Sequence, residues 1–131
     1  PQVIEGKLTI DRHFDQVVAI ADQRKFVSAL IVPNYKVLED WAASQNITFD
    51  SRAALCNDER VKKYLAQHIE TLQQDLAAYE KIKRFVLLPK PFTIESGELT
   101  NTLKIKRRVV YERYADLIER MYADVPSGRP A

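Results

Sequence analysis

The chain has a single cysteine, Cys56. No internal disulfide can form, which points to a reducing compartment, the cytoplasm. Cys56 follows Ala53-Ala54-Leu55 and reads as a small core residue rather than a reactive thiol. There are only three glycines, Gly6, Gly97 and Gly128, too far apart to form a Gly-rich phosphate loop. The two histidines, His13 and His68, stand alone in sequence, without the paired ligands a zinc site needs, so no metal site is expected. Glu5, Asp11, Asp15 and Asp22 are scattered over a short helix and loops and name no acid–base pair. No Ser–His–Asp arrangement is suggested. Charge of one sign is also lacking: 20 Lys and Arg against 18 Asp and Glu leave a net charge of +2. A dedicated nucleic-acid binder is usually more lopsided, so no nucleic-acid partner is expected. No apolar run reaches membrane-spanning length, and there is no signal peptide. The sequence starts at Pro1 without a methionine and reads as a piece of a larger protein.

What is present fits one domain. The chain has 131 residues, 46% hydrophobic and 29% charged, close to ordinary globular usage. Pro1 to Ile10 has the spacing of a helix, with Val3 or Ile4, Lys7 and Leu8 on one side. Gln16 to Ala21 and Phe26 to Val32 are short runs rich in β-branched residues. The polar break Asp22-Gln23-Arg24-Lys25 between them predicts a hairpin. Both strands are too apolar for one wet face, so helices should cover both sides. Asn34 can cap a helix over Tyr35 to Ser44 that buries Leu38, Trp41 and Ala42. Asp50 or Ser51 can cap a turn through Leu55. Asn57-Asp58-Glu59 opens the longest helix, whose apolar stripe runs Val61, Leu65, Ile69, Leu72, Leu76, Tyr79. Lys83 to Pro89 is a third strand, joined by a crossover. Pro89 to Gly97 is a loop. Arg107 to Tyr122 is a final helix with Val110, Tyr114, Leu117, Ile118 and Met121 on one face. The stretch 123–131 should fray.

The most informative stretch is Glu98-Leu99-Thr100-Asn101-Thr102-Leu103-Lys104-Ile105-Lys106-Arg107-Arg108. It sets four cations in five positions after small hydroxyl residues. If extended, it places Thr102, Lys104 and Lys106 on one face and Leu103 and Ile105 on the other, where the apolar pair can pack. A phosphate or carboxylate partner would suit the polar face. On pattern alone, a solvated basic strand edge fits as well.

The run from Lys90 to Arg107 resembles the closing motif of the adenylate-forming enzymes. Within that superfamily it is similar to the long-chain acyl-CoA synthetases, whose pattern is approximately Pro-Phe-Thr-x-Glu-Asn-Gly-x-Leu-Thr-Pro-Thr-x-Lys-x-Lys-Arg. Val17 to Pro33 resembles the hairpin that opens their C-terminal domain, and Pro1 to Glu5 the short helix after their interdomain hinge. The likeness covers Pro1 to about Tyr122. Asn101 stands where the family usually has proline, and Ser96 where it often has asparagine. Losing the proline frees one φ angle but leaves the lysine in register.

The resemblance implies an α+β fold: a small mixed three-stranded sheet flanked by helices, over residues 1–122, with a flexible tail over 123–131. It implies the mobile C-terminal domain of an AMP-forming fatty acid–CoA ligase, partnered by an N-terminal adenylation domain that precedes it. The parent would take ATP with Mg2+, a fatty acid and CoA. It would be cytoplasmic, with peripheral membrane association as an option. Lys104 takes the position of the adenylation lysine. Thr102, Lys106 and Arg107 become phosphate-facing candidates, and Pro1 is the residue nearest the hinge. The chain alone is expected to be inactive, because the phosphate loop, adenine pocket and acyl tunnel belong to the larger domain. Two other classes stand beside this. One is a phosphate- or RNA-binding module using Lys83, Arg84, Lys90, Lys104, Lys106, Arg107 and Arg108. The other is a non-catalytic interaction domain whose long helical stripe binds a partner.

Overall fold

The computed structural model describes residues 2–123. The expectations for Pro1 and for the tail beyond residue 123 lie outside the described residues. Helix α1 (Gln2–Ile10) buries Ile4 and Leu8, which lie four apart on one face. Val3 points outward, and the Lys7 ammonium reaches Asp75 at 3.1 Å. Strands β1 (Phe14–Ile20) and β2 (Val27–Pro33) form the expected antiparallel hairpin, with Val18 opposite Leu30. The connection, residues 21–26, is longer than the polar break. Gln23 is left-handed (φ +57) and the Arg24 N–H bonds the Ala21 carbonyl at 3.1 Å, so Ala21 and Phe26 leave the ladder.

All seven positions of β2 are buried. Successive strand side chains point to opposite faces, so both faces of the sheet are covered. Strand β3 (Ile82–Leu87) pairs with β2 in parallel, Val86 beside Leu30, and the order is β1-β2-β3. The sheet is thus the mixed three-stranded one expected, and the parallel pairing requires the crossover.

That crossover contains three helices. In α2 (Tyr35–Ser44) the Asn34 side chain accepts the Val37 N–H at 3.3 Å. Leu38 and Ala42 are buried, whereas Trp41 is half-buried and stacks on Tyr64, ring centroids 3.9 Å apart. Ser51 caps α3 (Arg52–Asn57), accepting the Ala54 N–H at 3.1 Å. Asp58 caps α4 (Glu59–Leu72), accepting from the N–H groups of Arg60 and Val61. Val61, Leu65 and Ile69 are buried, so this stripe is spent on the chain's own core rather than left for a partner helix.

The helix stops short of the predicted reach. Gln73 is 1% exposed, and its amide accepts the Ile82 N–H at 2.8 Å and donates to the Ile82 carbonyl at 3.1 Å. The chain must turn there to present these groups to β3. Leu76 packs only at the core's margin, and Tyr79 is 82% exposed within a short 3-10 turn, Ala78–Glu80. The final helix is broken into α5 (Arg107–Arg113) and α6 (Ala115–Tyr122) at Tyr114, whose φ of −106 and ψ of 22 leave the helical region. Val110, Ile118 and Met121 are buried. The Tyr122 hydroxyl lies 2.8 Å from both the Phe26 carbonyl and the Ser28 hydroxyl, tying α6 to the hairpin.

Candidate functional site

The loop after β3 is fastened at three points. The Gln16 amide donates to the Phe92 carbonyl at 3.0 Å and accepts the Phe92 N–H at 2.7 Å. Thr93 and Ser96 close a turn: Thr93 Oγ1 accepts the Ser96 N–H at 3.0 Å, and the Gly97 N–H bonds the Ile94 carbonyl at 3.0 Å. Gly97, at φ +85, supplies the left-handed step that sends Glu98 inward. Glu98 is 3% exposed. Its carboxylate accepts from the Ser96 hydroxyl at 2.6 Å and faces the Arg113 guanidinium at 3.4 Å. Arg113 also donates to the Ser96 carbonyl at 2.6 Å, so one cation holds both the loop and its buried acid. Burial, then the Glu98 charge, push the neighbouring Tyr114 phenol upward in pKa.

From this base the chain forms a narrow hairpin. Leu99 bridges Ile105, and the Lys106 N–H donates to the Glu98 carbonyl at 2.8 Å. The Thr100 N–H donates to the Lys104 carbonyl at 2.8 Å, and Thr100 Oγ1 accepts the Lys104 N–H at 3.0 Å. The backbone of Lys104 is thereby held from both sides. The expected continuous strand is corrected here. Leu103 donates back to the Thr100 carbonyl at 2.8 Å and turns left-handed, φ +66, which breaks the alternation. Leu103 is 67% exposed and anchors nothing, while Ile105 packs against the core. Thr102 sits at the tip, 3.1 Å from the Thr100 hydroxyl, rather than in line with the lysines.

The four cations separate into two kinds. Arg107 is partly buried. It makes a two-pronged pair with Glu5 on α1, at 2.9 and 2.5 Å, and Glu5 also accepts the Ala19 N–H at 2.7 Å. The bond to Glu5 raises the guanidinium pKa above its ordinary value despite partial burial. Arg107 therefore ties α5 to α1 and, through Glu5, to β1. Arg108 pairs with Glu112 one turn on, at 3.2 Å. Lys104 and Lys106 are exposed and make no ion pair among the described residues. Five surface grooves of about 180 to 600 Å³ take no lining residue from the segment 93–108. Lys104 is exposed on the hairpin and lines none of these five grooves.

The histidines do not stand alone in space. The rings of His13 and His68 stack with centroids 3.9 Å apart, and Asp11 lies 2.6 Å from His13 Nδ1. Sequence distance hid this pair, because the turn after α1 meets the middle of α4 only in the fold. Cys56 is buried as expected. It lies 2.8 Å from the Tyr35 hydroxyl, and burial raises its thiol pKa. Gln16, Glu98 and Arg113 escaped the sequence reading. A glutamine inside a β-branched run and an acid beside a glycine were the only signals.

Comparison with known proteins places this geometry. A family model described as the AMP-binding enzyme C-terminal domain matches residues 1–126. Long chain acyl-CoA synthetase 7, peroxisomal, of Arabidopsis thaliana is 35% identical over 133 aligned positions, covering 99% of this chain and 19% of that protein. The long-chain-fatty-acid–CoA ligase FadD15 of Mycobacterium tuberculosis is 31% identical over 123, covering 93% of this chain and 20% of that protein. The chain spans about a fifth of the length of these relatives. Among solved structures, the adenylation domain of a carboxylate reductase from Mycobacterium chelonae superposes with a TM-score of 0.75 at 25% identity, over 94% of this chain and 18% of that one. The corresponding domain from Segniliparus rugosus, in complex with AMP and a co-purified carboxylic acid, gives 0.73 at 25% identity, over 92% and 17%. With its mixed sheet and closing hairpin, the chain belongs to the family of AMP-binding enzyme C-terminal domains.

Proposed function

We propose that the chain is the mobile C-terminal domain of an AMP-forming long-chain fatty acid–CoA ligase, and that Lys104 is its adenylation residue. One observation supports this above the others. In a run of four cations, the arginines are consumed by internal pairs while the two lysines make no ion pair among the described residues, and of these Lys104 has its backbone held from both sides by Thr100. The relatives named as long-chain acyl-CoA synthetases supply the substrate class.

In the first half-reaction a fatty-acid carboxylate oxygen attacks the α-phosphorus of Mg-ATP. A new P–O bond forms, the bond to the β-phosphate oxygen breaks, and pyrophosphate leaves. Two anions must meet, and charge grows on the phosphate oxygens. An ammonium placed between them lowers that barrier by position and by field. The N-terminal adenylation domain would provide the nucleotide pocket, since this chain has no Gly-rich loop. In the second half-reaction the CoA sulfur attacks the acyl carbonyl, and AMP leaves with the electron pair of the acyl C–O bond. Lys104 has no role there, and rotation of the domain would withdraw it. A compact charge on a flexible stem suits a group that enters and leaves. Lys106 lies two residues along the same edge and serves as a supporting surface charge.

The test is fatty-acid-dependent ATP–pyrophosphate exchange in the full-length enzyme. Lys104→Ala should lose about 10²–10³ in rate, the usual cost of one electrostatic donor to a transition state. Lys106→Ala should stay within about tenfold, as for a screened surface charge. Exchange unaffected by Lys104→Ala would remove the assignment.

A further inference from the structure

We propose that Asp11, His13 and His68 form a binding site for a borderline divalent transition-metal ion, with Zn2+ the best match. This rests on a cluster apart from the hairpin that carries Lys104. One donor atom from each residue lies within 4.8 Å of the others. Two imidazoles and a carboxylate are the donor set zinc prefers, whereas Mg2+ and Ca2+ take oxygen ligands. Three protein ligands leave one coordination position for water or a small anion.

His13 is prepared for the task. It is 7% exposed, and its Nε2 lies 3.0 Å from the Tyr64 hydroxyl. When Nδ1 binds metal, Nε2 carries the proton and donates to the Tyr64 oxygen. Metal-bound histidines nearly always have such a partner on the second nitrogen, which fixes tautomer and ring plane. Tyr64 is in turn held by its stack on Trp41, 9° from parallel. Asp11 uses Oδ1 for both the His13 N–H at 2.8 Å and Nδ1 at 2.6 Å. Its other oxygen has no partner among the described residues and can turn to a cation. A metal would replace the contact between Asp11 Oδ1 and His13 Nδ1.

The moving part is His68. Its ring lies face to face with that of His13, 27° from parallel, so its lone pair does not yet converge. Ligands on a tetrahedral zinc sit about 3.4 Å apart, from Zn–N distances of ~2.0–2.1 Å. A side-chain rotation of the half-buried His68 on α4 closes that gap, while His13 stays fixed. Binding would then clamp the turn after α1 to the middle of α4.

Trp41, the chain's single tryptophan, reports on the site through Tyr64. Untagged protein titrated with ZnCl2 should bind one equivalent by calorimetry, change Trp41 fluorescence saturably and raise the melting temperature. MgCl2 at the same concentrations should do none of these. His68→Ala and Asp11→Asn should each weaken zinc binding by at least tenfold. Tyr64→Phe, which removes only the outer partner, should weaken it about 10–100-fold. Circular dichroism identifies any variant that fails to fold. The decisive measurement needs no variant: absence of saturable zinc binding to the unmodified chain overturns the proposal. So does an affinity unchanged in folded His68→Ala, which would leave the cluster as a hydrogen-bonded histidine stack.

Discussion

At Leu103 the backbone enters the left-handed region, φ +66, with a side chain 67% exposed. A non-glycine residue there costs roughly 1–2 kcal/mol, and little packing repays it. Leu103→Gly relieves that strain but adds ~0.4–1 kcal/mol of freedom to the unfolded chain. The variant should be neutral to about 1 kcal/mol more stable, whereas β-branched Leu103→Val should be less stable than the parent. Urea unfolding midpoints decide the order. The sequence reading paired Leu103 with Ile105 because a period of two cannot reveal a left-handed turn inside a run without glycine. In the crossover, Asp58 was legible as a helix opener from the residue types alone. Its bonds from Arg60, then from the Arg60 and Val61 N–H groups, lower its carboxyl pKa to about 2. The folded value lies below the unfolded value of ~3.9. The stabilisation is therefore complete above about pH 4 and is lost as pH falls toward 2. Asp58→Asn keeps the cap but not the charge. Its stability should change less between about pH 4 and 2 than that of the parent, in acid-unfolding curves followed by circular dichroism.

At the scale of elements, periodicity located the helices and strands, and polar side chains decided where several of them end. The stripe from Val61 to Tyr79 keeps helical spacing beyond Leu72, but Gln73 halts the helix to satisfy both backbone groups of Ile82. A glutamine that bonds nine residues ahead leaves no pattern in a local window. Gln16 does the same for Phe92, across a separation of 76 residues. Gln73→Leu should orphan the Ile82 N–H and carbonyl, and each such buried group costs ~1–3 kcal/mol. Gln73→Glu keeps the acceptor for the Ile82 N–H but sets a buried carboxylate oxygen against the Ile82 carbonyl and the Glu70 carboxylate, so it should cost at least as much. Chemical denaturation of both variants tests this, and losses well below ~1 kcal/mol would mean the amide is not what ends α4. The break at Tyr114 was equally hidden, because Val110, Ile118 and Met121 stay on one buried face across it.

Across the whole molecule, one hydrophobic core joins α1, the sheet, the crossover helices and α6. The described residues should therefore unfold as a unit, and a broad or biphasic thermal melt of the chain would contradict this. The hairpin was readable from two β-branched runs around a polar break, and the crossover from the helices that precede the third strand; the mixed three-stranded sheet itself was what the family resemblance implied. The division of labour among the cations was not readable. Arg107 looks like Lys106 in sequence, but Glu5, 102 positions away, claims it. The central claim is that Lys104 acts in adenylation and is withdrawn for thioester formation. The most direct measurement is the ratio of the two half-reactions in the full-length enzyme, with pre-formed acyl-adenylate as substrate for the second. Lys104→Ala should lose about 10²–10³ in adenylation and far less in thioester formation. Arg107→Ala, which loosens the packing of α5 on α1, should lower both steps alike. Equal loss in both steps for Lys104→Ala, or a larger adenylation loss for Lys106→Ala, would contradict the account.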